Sequence, residues 1–125
     1  MLGTRDVTAT IAVKDIARAR HFYQETLGLK LVDADEPEAL LFRSGNSTVL
    51  VYESRYAGSN QATALTWVVG DDLDQEVALL KSKGVVFGRY ELPGTTREGE
   101  VHLSGGTRAA WFMDADGNIL AMVNR

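Results

Sequence analysis

Side chains able to exchange protons or bind metal near neutrality are scarce in this chain. It has two histidines, His21 and His102, and no cysteine. Disulfides, thiolate metal sites and a cysteine nucleophile are therefore excluded. His21 falls opposite a helical stripe of Ile16, Ala19, Tyr23 and Leu27, so it is expected to face solvent. His102 stands between Val101 and Leu103 and can point inward. If the protein is an enzyme, His102 is its general acid or base, because imidazole is the side chain that titrates near neutral pH. No Ser-His-Asp set can be assembled around it. No glycine-rich loop follows a strand and opens a helix, so nucleotide binding has no support. Recognition chemistry remains. Tyr52, Trp67, Tyr90 and Trp111 each offer a π face and one polar tip. Thr8 and Thr10 add hydroxyls. Arg43 and Arg108 carry planar donor forks that suit an anion, with surface ion pairing as the simpler use.

Bulk properties narrow the class. The 125 residues are 45% hydrophobic and 24% charged, with a net charge of −4. That is an ordinary globular composition for one domain. The acidic balance argues against nucleic acid as a partner, since phosphate tracking needs clustered Lys and Arg. No apolar run approaches the length that spans a bilayer, so no membrane partner is expected either. A soluble cytoplasmic protein is the expectation.

The elements that must position these residues occur twice. In "TATIAVKDIARARHFYQETLG", Val7, Ala9, Ile11 and Val13 alternate with Thr8, Thr10 and Ala12, a strand pattern. Asp15 then caps a helix and Gly28 ends it. The order recurs in "ALTWVVGDDLDQEVALLKSKG". Here Asp72 is the cap, Gln75 completes a capping box, and Leu73, Val77 and Leu80 form the buried stripe before Gly84. Strands follow each helix, at 29–32, 39–43 and 48–53 in the first half and at 85–90, 108–113 and 119–123 in the second. The turns "SGNS" and "DADGN" close matching hairpins. Each half reads as βαβββ, with a single ferredoxin-like unit plus extra strands as the alternative. The second half is longer, and "LPGTTREGEVHLSGG", residues 92–106, supplies the difference. It reads as a flap over a site, with disorder as the rival reading.

Two βαβββ modules, "VKDIARARHFYQETLGLKLV" and a terminal "DADGNILAMV" together resemble the vicinal oxygen chelate superfamily. That group includes glyoxalase I, extradiol dioxygenases, fosfomycin-resistance transferases and bleomycin-resistance binding proteins. The resemblance implies an α+β fold in which two tandem modules, about 5–60 and about 61–125, form a curled mixed sheet with a cleft. Residues 1–125 make one domain. It also implies where metal ligands would stand: on the first and last strand of each module, facing the cleft. Those positions fall on Thr8, Leu50 (or Val51), Leu65 and Ala121. A hydroxyl, two leucines and a methyl form no chelating set, so no metal and no cofactor is expected.

The same correspondence sorts the strand faces. Thr8, Thr10, Leu50, Tyr52, Leu65, Trp67 and Ala121 are expected on the cleft side as ligand-binding residues. Tyr90, His102 and Trp111 join them, although the face of Trp111 is left open. Ile11, Val49, Val51, Val68, Leu120 and Met122 are expected beneath the helices. Trp67 either stacks on a planar ligand or fills the interior. The resemblance favours binding of a small hydrophobic or aromatic molecule without a catalytic metal. A lyase, isomerase or dioxygenase, metal-free or metal-dependent, is the alternative. By the same resemblance the chain is expected to form a homodimer.

Overall fold

The alternation near the N-terminus becomes β1 (Ala9–Val13). Ile11 and Val13 are buried, while Thr10 on the other face is exposed. The computed structural model describes residues 1–125, which separate into two units, Met1–Ser59 and Asn60–Arg125.

In the first unit, Asp15 starts α1 (Ile16–His21) by accepting hydrogen bonds from the amides of Ala17 and Arg18. The helix widens into a π turn over Phe22–Thr26, and Gly28 leaves it with φ 78°, a conformation that costs glycine little. Three strands follow: β2 (Lys30–Asp33), β3 (Ala39–Ser44) and β4 (Ser47–Glu53). The sheet order is β1-β4-β3-β2, with β1 and β4 parallel. Ile11, Val13, Leu40, Phe42, Val49 and Val51 are buried on one face together with Ala19 and Tyr23 of the helical segment. The Tyr23 and Phe42 rings lie 6.0 Å apart. Both are fully buried, and truncating either to alanine should cost about 3–5 kcal/mol.

The second unit begins with β5 (Thr63–Val68) and α2 (Leu73–Ser82). A 3-10 turn, Gly70–Asp72, leads into α2, and the Asp72 side chain makes no capping hydrogen bond. The expected capping box is therefore absent. Backbone geometry, with Gly70 at φ 60°, makes the entry instead. Leu73, Val77 and Leu80 are buried as expected. After α2 come β6 (Phe87–Gly88), β7 (Thr96–Glu98), β8 (Val101–Ser104), β9 (Thr107–Met113) and β10 (Ile119–Val123). The sheet runs β5-β10-β9-β8-β7, and β6 also pairs with β9. β5 and β10 are parallel.

The segment read as a structureless flap is a β-hairpin within this sheet. β7 and β8 pair with each other, and β8 pairs with β9. The hairpin turns on Gly99-Glu100, with φ 60° at Gly99 and no positive φ at Glu100. Glycine at the first of two turn positions is the II′ arrangement that matches strand twist. The buried Glu100 carboxylate is gripped by Arg89 at 2.6 Å and 2.8 Å, which ties the hairpin tip to the chain after β6.

The turn before β10 is built around another carboxylate. Asp114, 7% exposed, accepts from the amides of Asp116 and Asn118 through Oδ1 and from the Asn118 side chain through Oδ2. Gly117 supplies the positive φ of 90°. No helix is long and apolar enough to cross a membrane.

Candidate functional site

Pairing fixes which side chains share a face of the second sheet, because directly opposed residues point the same way. Arg108 on β9 donates to Asp74 of α2 at 2.9 Å and 3.1 Å, so the Arg108 face lies on the helix side. Ala110 and Phe112 share that face by alternation. Their β10 partners are Met122 and Leu120, whose β5 partners are Trp67 and Leu65. Leu65 and Trp67 therefore belong to the helix-covered side, and the Trp67 ring stacks on Phe112 at 6.4 Å. This corrects their expected place among ligand-facing residues. Val68 is corrected in the opposite sense: it is 70% exposed rather than covered by a helix.

The inversion arises between the strand and the helix. The 3-10 turn before α2 lengthens the path from β5 to the helix. The register of β5 against β10 also slips between Ile119 and Leu120, but that bulge precedes Leu65 and lies outside this interval. Counting back from the helix start by the spacing of the first half thus lands on the wrong parity. Thr66 takes the open-face position expected of Leu65. It pairs with Ala121, which pairs with Trp111.

The open face of the second sheet carries two rows. One runs Thr66, Ala121, Trp111 and Gly88. The other runs Val68, Val123, Ala109, His102 and Arg97. Trp111, whose face the sequence left open, stands here, with its indole N–H donating to Thr63 Oγ1 at 3.1 Å. Ala121 is on this face but enclosed, at 2% exposure. Tyr90 follows β6 and folds back over Gly88, where an added Cβ would meet the Tyr90 hydroxyl at 2.6 Å.

His102, Trp111 and Tyr90 form an aromatic group. The His102 ring is 4.9 Å from Trp111, edge to face, and 5.7 Å from Tyr90. Trp111 and Tyr90 are also edge to face at 5.7 Å. The imidazole is 3% exposed, and its Nε2 accepts from the Tyr90 amide at 2.9 Å. An amide can only donate, so Nε2 is bare and the neutral ring carries its proton on Nδ1. Nδ1 is buried with no partner in the chain. A buried donor left unmade costs about 1–3 kcal/mol. Beside this group lies a pocket of about 530 Å³ bordered by Tyr90, Leu92, Thr95, Arg97 and the acidic Glu91.

In the first unit, Thr10 pairs with Leu50, and Tyr52 pairs with Ala12. These residues share the face opposite the core, as expected, and Tyr52 is 40% exposed. The Thr8 and Thr48 hydroxyls share a hydrogen bond of 2.9 Å. Val51 is fully buried, which leaves Leu50 as the open-face residue of that pair. Arg43 is exposed on β3, and His21 is exposed on α1.

The positions implied for metal ligands are thus Thr8, Leu50, Thr66 in place of Leu65, and Ala121. Alkyl groups and neutral hydroxyls do not suit a divalent cation. No group of three or more His, Cys, Asp or Glu side chains is close enough to hold a metal ion. These residues do not fit the metal of the catalytic branches.

The family model described as Glyoxalase/Bleomycin resistance protein/Dioxygenase superfamily matches residues 6–122. No curated protein matches the sequence. Among solved structures, an integron cassette protein from the mobile metagenome of the Halifax Harbour sewage outfall aligns with TM-score 0.72 and 17% identity, covering 98% of this chain and 99% of that one. Lactoylglutathione lyase from Agrobacterium tumefaciens aligns with TM-score 0.71 and 14% identity, covering 96% and 92%. A fosfomycin resistance protein from Listeria monocytogenes aligns with TM-score 0.71 and 14% identity, covering 94% and 89%. At these identities the likeness is one of fold.

Proposed function

The chain belongs to the Glyoxalase/Bleomycin resistance protein/Dioxygenase superfamily, and from that premise we propose that it binds a small hydrophobic or aromatic molecule without a catalytic metal. The observation that carries this reading is the open face of the second sheet. Trp111, Tyr90 and His102 stand together there, while the positions that would chelate hold hydroxyls and alkyl groups. An apolar and aromatic surface with a few placed polar groups has the character of a small-molecule site. Thr8, Thr10, Leu50 and Tyr52 are proposed as the ligand-contacting residues of the first unit, on its own exposed sheet face. The proposal includes a cytoplasmic homodimer.

A thermal-shift panel of aromatic compounds on chelator-treated protein tests the reading. A ligand present at a hundred times its Kd stabilises the native state by about 2.7 kcal/mol, which raises Tm by several degrees. No rise for any compound, on protein with a cooperative melt, would count against it.

A second reading rests on the unpartnered Nδ1 of His102. That N–H can donate to a substrate oxygen as the acid partner in a metal-free isomerisation or elimination. An identified turnover that survives His102→Ala unchanged would end that alternative.

A further inference from the structure

We propose that His102 Nδ1–H and Arg97 form a carboxylate subsite on the open face of the second sheet, so that the ligand class is a planar aromatic carboxylate. The inference rests on the binding function above and adds the polar group that the ligand must carry. Its first support is the orphaned donor. Tyr90 holds Nε2 as an acceptor, which fixes the proton on Nδ1, and Nδ1 has no partner although His102 is 3% exposed.

The second support is independent of the first. Arg97 is paired directly opposite His102 across β7 and β8, so both side chains project from one face. Arg97 donates to the Gly99 carbonyl at 3.1 Å but makes no ion pair, whereas Arg89 and Arg108 each hold a carboxylate. Arg97 and Tyr90 also border the 530 Å³ pocket. A carboxylate accepts from both a guanidinium and an imidazole N–H, and an attached ring would meet the faces and edges of Tyr90 and Trp111. Tyr90 is 37% exposed.

The test uses full-length protein and three matched pairs of probes: benzoate and benzamide, 2-naphthoate and 2-naphthamide, indole-3-carboxylate and indole-3-carboxamide. Binding is followed by Trp fluorescence and calorimetry. Wild type should prefer the carboxylate of at least one pair by about tenfold to a hundredfold, as for a hydrogen bond to a charged group. His102→Met keeps a weak acceptor near the Tyr90 amide and carries no N–H donor. It and Arg97→Met should each abolish that preference while their thermal melts stay cooperative. Nitrogen-15 spectra of the imidazole should place the proton on Nδ1 and show that nitrogen shifting when the carboxylate is added. Equal binding of acid and amide in every pair, or a preference that survives both substitutions, overturns the subsite and leaves aromatic binding standing. Failure of all six probes to bind below millimolar concentration overturns both.

Discussion

Single residues decide how the open face of the second sheet is organised. Gly88 leaves room for the Tyr90 ring, since a methyl there would come within 2.6 Å of the Tyr90 hydroxyl. The obstructing group is the end of a movable side chain, so the ring yields and the strand does not. Gly88→Ala is therefore expected to melt within roughly 4 °C of wild type, the size of a loss near 1 kcal/mol. Its Tyr90 ring protons should lose the shielding given by Trp111. Unchanged Tyr90 shifts would contradict the placement. Asp114 works differently, because it is an acceptor enclosed by the donors it serves. Asp114→Ala strands those donors and should cost about 2–3 kcal/mol in urea unfolding. A loss under about 0.5 kcal/mol, the range of a plain surface substitution, would mean the turn holds without its carboxylate. At this scale the sequence was partly legible. His102 between two apolar neighbours pointed inward, as found. The orphaned Nδ1 and the Arg89–Glu100 clamp were not legible, since both depend on contacts across strands that no local pattern encodes.

Elements show where sequence periodicity suffices and where it fails. Asp15 caps α1 through two amides, while Asp72, in the matching place, caps nothing through its side chain. Asp15→Ala should thus cost about 1 kcal/mol, and Asp72→Ala less than about half of that, by chemical denaturation. Equal losses would show that the two helix entries are alike after all. In the first sheet β1, β3 and β4 pair without a register slip, so Thr8, Thr10, Leu50 and Tyr52 fall on the expected face. The second sheet differs. A 3-10 turn before α2 changes the spacing from strand to helix, and Leu65 and Trp67 change sides. That turn has no marker beyond Gly70. The hairpin β7–β8 had a marker that is easy to pass over: Gly99 opens a two-residue turn, as Gly45 and Gly105 do, each with positive φ. Pro93-Gly94 and a run of polar residues mask it. Gly99→Val forces a branched side chain into that φ and should destabilise the fold by more than about 1 kcal/mol. Retained stability would show the turn is not II′.

Across the whole molecule, a duplicated βαβββ plan remains while the positions that carry chelating groups in the catalytic branches hold alkyl and hydroxyl side chains. The duplication was readable because caps, stripes and terminal glycines recur in order. A sheet core needs only apolar residues of suitable size at alternating positions, so the fold can persist while the open face changes its chemistry. The proposed recognition by aromatic contact and a few hydrogen bonds is compatible with that separation. The most direct measurement is calorimetric titration of 2-naphthoate into two samples: protein stripped with a strong chelator, and the same protein loaded with excess manganese, nickel or zinc. Metal-free recognition predicts the same Kd in both samples, with no stoichiometric metal retained after dialysis. Binding that appears only in the loaded sample, with one ion held per chain, would contradict it.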